Sequence, residues 1–201
     1  GAEERAEFFK DFALSHMLQD QKASLSRFGV EFDVWFSERQ LVDSGAVSWV
    51  IDTLQERGMV YEAEGALWLR TTEFGDEKDR VLVKSDGNYT YLAGDIAYHK
   101  NKLDRGFDLL IDIWGPDHHG HVVPTRAGLQ ALGHPGSSLE VLLLQFLSLM
   151  SSGERVKMSK RAGEFVTMDD LIDEVGKDAA RYFLLMRNIE SHLEFDLALA
   201  K

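Results

Sequence analysis

The sequence predicts an α/β fold with parallel strands, a small antiparallel insertion and a helical tail. Residues 109–114 form a nearly continuous apolar run, which is typical of a strand covered on both faces in a parallel sheet. A helical stretch at 121–132 and a second apolar strand at 139–147 follow it, in the order of a right-handed βαβ crossover. Between residues 59 and 92, short strand-like segments are separated by glycine-containing turns, which indicates hairpins.

Upstream of the turns, the sequence predicts two helices and one strand. Residues 3–27 carry apolar side chains near helical spacing, and Gly29 is suited to end that helix. Residues 32–36 are aromatic and β-branched, which predicts a short buried strand. A second amphipathic helix is predicted over residues 45–58. The strands of the insertion are predicted at residues 59–63, 66–70, 81–84 and 89–92.

The composition fits a globular protein and argues against several functional classes. The 201 residues include 34 acidic and 22 basic side chains, and the net charge of −12 argues against a generic nucleic-acid binder while suiting a cationic substrate. No apolar run reaches membrane-spanning length, so no membrane association is expected. The chain contains no cysteine, which excludes disulfides and thiolate zinc sites and fits a cytoplasmic location.

A cluster of positive charge stands out in this acidic chain. Four cations lie within seven residues: Arg155, Lys157, Lys160 and Arg161. Gly153 and Gly163 bracket the cluster, so the backbone can flex at both ends. Mobile ammonium groups suit polyphosphate chemistry, because they stabilise charge that builds on phosphate oxygens. For the cluster taken alone, a solvated basic turn is the favoured interpretation, until the surrounding sequence is considered.

Two acidic residues stand where a binding site is expected. Glu38 follows the predicted strand at 32–36, and ligands of parallel sheets bind at the carboxyl ends of the strands. Asp95 stands near the start of a predicted helix. Both also have a structural explanation, because the helix dipole stabilises carboxylates in the first turn of a helix. The pattern alone leaves both interpretations open.

The turn after residues 109–114 combines a glycine, an aspartate and three histidines. Gly115 permits close approach of the backbone, Asp117 can accept hydrogen bonds from a ribose, and the following helix N-terminus faces phosphates. A metal site is the alternative, but no further ligand pair with metal spacing accompanies the histidines. We therefore predict a nucleotide-binding turn, as in Rossmann-like folds, and no structural metal.

Three segments of the second half of the chain resemble arginyl-tRNA synthetases, which are class I aminoacyl-tRNA synthetases. They are residues 156–163 (VKMSKRAG), 165–172 (FVTMDDLI) and 178–186 (DAARYFLLM). The string Lys157-Met158-Ser159-Lys160 matches the second signature of class I synthetases. The resemblance extends over nearly the whole chain, from the helix before Phe32 to residue 196.

The resemblance implies an arginine-binding site built from separate segments. In the family, a glutamate at the end of the matching strand contacts the substrate guanidinium, and Glu38 stands at that position. Tyr91 and Asp95 match a Tyr-x-x-x-Asp pair in which the carboxylate binds the guanidinium and the ring packs beside it. The position of His118 lies beside the α-amino group of the amino acid, although family members differ there.

The resemblance also implies how ATP and Mg²⁺ are bound. Gly115 and Asp117 correspond to the Gly-x-Asp turn that serves the ATP ribose. Lys157 and Lys160 are the implied catalytic residues, acting on the phosphates of ATP, which binds together with Mg²⁺. The nucleotide-binding part of the second signature comprises Val156, Lys157, Met158, Ser159 and Lys160.

The implied reaction activates L-arginine with ATP to arginyl-adenylate and transfers it to tRNA(Arg). The first class I signature, His-Ile-Gly-His or a close variant, is not found in these residues. We therefore expect residues 1–165 to be the second half of a Rossmann-like catalytic domain, with the insertion at about 45–92. Residues 166–201 are expected to begin a helical stem that leads to an anticodon-binding domain. Alone, the chain is expected to be inactive and to self-associate through open strand edges.

Two alternatives remain at this point. One is another class I synthetase or a related nucleotidyl-transferring ligase, although the acidic pair Glu38 and Asp95 favours arginine. The other is a non-catalytic truncated paralogue that binds ligands without turnover.

Overall fold

The computed structural model describes residues 1–151, 154–156, 166–186 and 188–201, and within them helices alternate with short strands. The helices are α1 (Ala2–Phe28), α2 (Glu38–Asp43), α3 (Ala46–Glu56), α4 (Tyr91–Asp104), α5 (Val122–Ala131), α6 (Met168–Val175), α7 (Lys177–Leu185) and α8 (Leu197–Ala200). The strands are β1 (Val60–Ala63), β2 (Ala66–Leu69), β3 (Arg80–Val83), β4 (Leu110–Trp114), β5 (Leu139–Leu143), β6 (Leu147–Ser151), β7 (Glu154–Arg155) and β8 (Leu193–Asp196). The predicted α/β class is confirmed. The chain forms two compact units, one of residues 36–144 and one of residues 1–35 with 145–201.

The antiparallel sheet predicted between residues 59 and 92 lies in the first of these units, with the strand order β1-β2-β3. Its first hairpin turns at Glu64 and Gly65, whose φ angles of 54° and 73° belong to a turn that requires two left-handed residues. The strand predicted at 89–92 is wrong. Tyr89 makes one isolated bridge to Val83, and α4 begins two residues later, at Tyr91. Between them, the Thr90 hydroxyl donates to the Val81 carbonyl at 2.8 Å, at the point where the chain leaves the sheet.

Strands β4 and β5 pair in parallel, in register from Leu110 with Leu139, and α5 connects them. The predicted strand–helix–strand order is therefore confirmed. The expected coverage of both faces of β4 is wrong: Ile111 and Ile113 are 56% and 63% exposed, whereas Asp112 is buried. The apolar run predicted as one strand over 139–147 is also divided, because β5 ends at Leu143 and β6 begins at Leu147.

The core of the first unit lies between α3, α4 and the antiparallel sheet. Its fully buried side chains come from all three elements and include Leu54, Leu69, Leu82 and Ile96. Helix α5 approaches α4 closely at Gly128, where an added Cβ would lie 2.3 Å from Cδ1 of Ile96. Glycine is required there because close-packed interiors leave no room for another carbon. This packing fixes α4, which carries part of the candidate site.

The second unit is built on the sheet β7-β6-β8, in which β6 pairs antiparallel with β7 and parallel with β8. Phe195 is fully buried at the centre of its core, together with Leu149 and Ala180. The helical start of the predicted tail is present as α6 and α7. Strand β8 was not predicted within that tail, because only its pairing with β6 distinguishes it from a loop.

Helix α1 has the predicted boundaries and ends at Gly29, whose φ of 78° is left-handed. Its last turns are attached to α6, where Arg27 Nη1 donates to Asp169 Oδ1 at 2.9 Å. None of its residues, all of which are described, is buried. The strand predicted at 32–36 is absent: these residues pair with no strand among the described residues, and Phe32 is exposed. No helix in the described ranges is long and apolar enough to cross a membrane.

Candidate functional site

Three of the residues predicted to bind substrate line one cleft in the first unit. The cleft has a volume of about 320 Å³ and lies between the N-terminal turns of α2 and α4. Its lining comprises Phe36, Glu38, Leu41, Tyr91, Gly94, Asp95 and Tyr98. Glu38 precedes Tyr91 and Asp95 by more than fifty residues in the chain, yet the three are neighbours in space.

Helix geometry explains how these side chains meet. Glu38 is the first residue of α2, and Tyr91 is the first residue of α4. Asp95 follows Tyr91 by four residues, so the two side chains share one face of α4. Gly94 gives Glu38 room: a Cβ added there would already lie 3.4 Å from Glu38 Oε1. Two carboxylates and a tyrosine, which is 83% exposed, thus face a common space.

The electrostatics of the cleft favour a cation. Asp95 is half-buried, and burial raises the pKa of its carboxyl, with the negative charges of Glu38 and Asp112 adding to the effect. Electrostatic interactions with His99 and His121 act to lower the pKa of Asp95 but do not cancel the effect of burial. Ionised Asp95 is therefore less stable than it would be in water. A cation bound between Asp95 and Glu38 would relieve both the repulsion and the loss of hydration.

Aromatic side chains form one wall of the cleft. The Phe36 and Tyr98 rings stack with centroids 4.6 Å apart and an interplanar angle of 27°. A larger neighbouring space of about 630 Å³ shares Glu38, Tyr91 and Gly94 with the cleft and extends towards Lys84 and Tyr89 of the insertion. These flat, apolar surfaces can hold an aliphatic stem while the carboxylates bind its charged end.

A buried polar cluster behind the cleft was not predicted from the sequence. His99 lies on α4. Its Nδ1 is 2.6 Å from the Asp95 carbonyl oxygen, and its Nε2 is 2.6 Å from Asp112 Oδ2. Lys102 Nζ donates to Asp112 Oδ1 at 2.9 Å. Two sequence signals could have indicated the cluster: an acid inside an apolar strand, and a histidine one helical turn after Asp95. A buried acid requires partners, but the sequence does not show which ones.

The predicted nucleotide turn lies at the carboxyl end of β4 as a 3₁₀ helix, Pro116–His121. Asp117 and His118 are exposed, and His118 Nε2 lies 3.7 Å from Asp117 Oδ2. At Gly115 an added Cβ would lie 2.6 Å from Asp117 Oδ1, so the aspartate occupies the space that the glycine leaves open. His119 Nδ1–H donates to the Pro116 carbonyl at 3.2 Å. Among the described residues, no group of three His, Asp or Glu is arranged to bind a metal.

The basic segment belongs to the second unit and is only partly described. Val156, predicted to contact ATP, is half-buried against the core around Leu149, and its amide donates to the Leu149 carbonyl at 2.8 Å. The predicted catalytic lysines, Lys157 and Lys160, lie outside the described residues, as do Met158 and Ser159. Their roles, and that of Val156, stay predictions.

Comparison with known proteins places the chain in one family. The family described as "tRNA synthetases class I (R), catalytic domain" matches residues 2–194. The chain is 54% identical over 198 residues to "Arginine--tRNA ligase" of Bacillus pumilus, covering 98% of this chain and 36% of that protein. It is 52% identical over 197 residues to the protein of the same name from Bacillus subtilis, covering 98% of this chain and 35% of that protein.

Solved structures agree with this comparison. A crystal structure from Campylobacter jejuni, described as an arginyl-tRNA synthetase, has a TM-score of 0.86 at 42% identity, over 94% of this chain and 41% of that one. The structure of Thermus thermophilus arginyl-tRNA synthetase has a TM-score of 0.79 at 17% identity, over 98% of this chain and 43% of that one. At that identity, the likeness supports the fold alone. The chain spans about a third of the length of the curated relatives it matches. On the match over residues 2–194, the chain belongs to the class I tRNA synthetases (R), within their catalytic domain.

Proposed function

We propose that this chain contributes the arginine-binding cleft of an arginine–tRNA ligase. The reaction activates L-arginine with ATP, releases pyrophosphate, and transfers arginine from the adenylate to the 3′ end of tRNA(Arg). The observation that carries the proposal is the shared cleft of Glu38, Tyr91 and Asp95. A guanidinium is planar, cationic and rich in donors, so two carboxylates beside an aromatic ring are complementary to it.

The three residues have different tasks in this proposal. Asp95 makes the stronger bond because its carboxylate is half-buried, where water screens charge less. Glu38 is exposed and contributes mainly to orientation of the guanidinium. Tyr91 packs its ring against the flat cation. Neutral amino acids are disfavoured because they leave the repulsion between the two carboxylates in place.

We further propose that the turn after β4 binds the nucleotide, as in a Rossmann-like domain. The exposed Asp117 carboxylate can accept hydrogen bonds from a ribose, and it stands at the carboxyl end of a parallel strand. His118 lies beside it and would approach the α-amino group of arginine. Mg²⁺ bound with ATP would neutralise charge on the phosphate oxygens.

Catalysis in this proposal depends on positioning and charge, with no covalent enzyme intermediate. The cleft holds the arginine carboxylate within reach of the α-phosphorus of ATP. Because the two substrates lose their translational freedom when they bind, the chemical step itself has a lower barrier. Lys157 and Lys160 stabilise the negative charge that develops as pyrophosphate leaves. The resemblance of residues 156–163 to the second class I signature supports this assignment.

The experiment that tests the function uses the Bacillus subtilis relative, in which the matching segment is replaced by these 201 residues. We expect the hybrid to catalyse ATP–pyrophosphate exchange that requires L-arginine and tRNA(Arg), and Asp95→Asn to abolish most of it. The 201-residue chain alone should be inert. A folded hybrid that is inactive, or that activates another amino acid instead, would contradict the proposal.

Self-association of the chain is a separate proposal, supported by the exposed face of β4. Ile111 and Ile113 present apolar side chains to solvent, which favours association of copies at high concentration. Sedimentation velocity should detect oligomers whose fraction rises with concentration, and Ile113→Lys should shift the chain to monomer. Val123→Lys, at an exposed position on α5, is the matched control. A wild-type chain that stays monomeric would refute this proposal.

A further inference from the structure

We propose that His99, Lys102 and Asp112 form a buried positioning network that holds Asp95 in the orientation needed to bind a guanidinium. The inference rests on the proposed function, because it assigns these residues to the same cleft. None of the three lines the cleft itself. They act through Asp95 and the aromatic wall, so they are positioning residues and not catalytic ones.

His99 connects α4 to β4 through both of its ring nitrogens. Its side chain is 3% exposed, and both ring nitrogens lie 2.6 Å from oxygen atoms, namely the Asp95 carbonyl and Asp112 Oδ2. A carbonyl oxygen can only accept, so Nδ1–H donates to Asp95. Nε2 pairs with the Asp112 carboxylate on β4. The ring therefore links the backbone of Asp95 to β4.

Asp112 balances the charge of this network. Burial acts to raise the pKa of its carboxyl, but the hydrogen bond and charge of His99, with those of Lys102, outweigh burial and lower it. The buried carboxylate thus pairs with both His99 and Lys102. Removal of either one leaves the buried Asp112 carboxylate with one partner in place of two, so the network has to rearrange.

The network reaches two sides of the cleft. His99 holds the Asp95 carbonyl from one helical turn away on α4. Lys102 Nζ lies 4.4 Å from the centroid of the Tyr98 ring, which in turn stacks on Phe36. Asp95, Tyr98 and Phe36 all line the cleft. A change in the network should therefore move the carboxylate and the aromatic wall together.

A purely structural network would only fasten α4 to β4, and this alternative makes a different prediction. It predicts lower thermal stability with unchanged selectivity for bound ligands. Positioning of Asp95 predicts a loss of preference for L-arginine over L-citrulline. Citrulline has the shape of arginine but carries a neutral urea group, so its hydrogen bonds to a carboxylate are weaker and its affinity depends less on the orientation of Asp95.

The experiment measures the Kd of L-arginine and of L-citrulline by calorimetry on the 201-residue chain. Lys102→Met should weaken arginine binding on the order of tenfold, or about 1.4 kcal/mol. Citrulline binding should weaken by less, and Lys102→Arg, which keeps the charge, should restore arginine affinity. Lys100→Met is the matched control, because Lys100 lies on the same helix and pairs with Asp104 outside the network.

His99→Gln is a second variant, with a donor that can reach Asp112 but not the Asp95 carbonyl. It should also weaken arginine binding on the order of tenfold, or about 1.4 kcal/mol. A folded His99→Gln variant that binds arginine as the wild-type chain does would refute the role of His99 in the network. Unfolding of the histidine variant would leave the lysine series to decide.

Two failures are distinguishable. If the wild-type chain shows no preference for arginine over citrulline, the proposed function fails and the network loses its role with it. If the wild-type chain prefers arginine but Lys102→Met retains that preference, the positioning role alone is refuted. Equal losses for both ligands together with a lower unfolding temperature would likewise assign the network to stability only.

Discussion

Asp95→Asn is the substitution with the largest expected effect on arginine binding. It removes one negative charge and keeps the size and shape of the side chain. Truncation of one partner in a buried, hydrogen-bonded charge pair costs about 2–5 kcal/mol. Asp95 is half-buried, so the lower end applies: about 2 kcal/mol, or roughly 25-fold in Kd.

Glu38→Gln provides an internal comparison for that magnitude. Glu38 is exposed, and exposed ion pairs contribute about 0.2–1 kcal/mol, which corresponds to a change in Kd of about fivefold at most. The two carboxylates therefore should not be equivalent, although both face the same cleft. The structure predicts a ratio of about five or more between the two effects.

Calorimetric titration with L-arginine measures both effects on the same chain. Asp104→Asn is the matched control, because Asp104 lies on α4 and pairs with Lys100 away from the cleft. It should bind arginine as the wild-type chain does. Equal losses for Asp95→Asn and Glu38→Gln would refute the argument from burial, and no loss for either would refute the cleft assignment.

Three further predictions concern pH, a turn and the basic segment. Because the pKa of Asp95 is raised, ionisation of its carboxyl opposes folding above that pKa, and this penalty disappears as the pH falls through it. Arginine affinity, measured as Kd against pH, should fall as the pH decreases over the same range, because protonated Asp95 carries no charge. Asp95→Asn should remove that dependence. Glu64→Asn should raise the free energy of unfolding by about 0.5–1 kcal/mol in urea titration, because asparagine tolerates the left-handed φ of 54° better; no gain would contradict the turn assignment. In the hybrid enzyme, Lys160→Ala should lower kcat far more than it raises KM for ATP, and a pure KM effect would assign the lysine to ground-state binding.

Most helices could be predicted because their signals are local. The boundaries of α1, α3 and α5 follow apolar spacing and nearby glycines, and these signals act within one or two turns. The parallel pair β4 and β5 was predictable from the order of apolar runs around a helical stretch. In the cleft, Glu38, Tyr91 and Asp95 were identified by resemblance, and the structure brings them together.

The errors arose where tertiary partners decide the outcome. Residues 32–36 have the composition of a strand, but a strand needs a partner for its backbone groups, and composition does not reveal whether one exists. In β4 the burial is the reverse of what the side-chain types suggest, because Asp112 is buried while Ile111 and Ile113 face solvent. Its partners His99 and Lys102 come from α4, and no short-range pattern connects them to β4.

The most direct test of the arginine cleft is a crystal structure of the chain with L-arginine bound. The guanidinium nitrogens should lie about 2.7–2.9 Å from the Asp95 carboxylate, which is the range of charge-assisted hydrogen bonds. The Tyr91 ring should pack against the plane of the guanidinium, and Glu38 should face it from α2. Arginine bound elsewhere, or oriented with its guanidinium away from Asp95, would contradict the account.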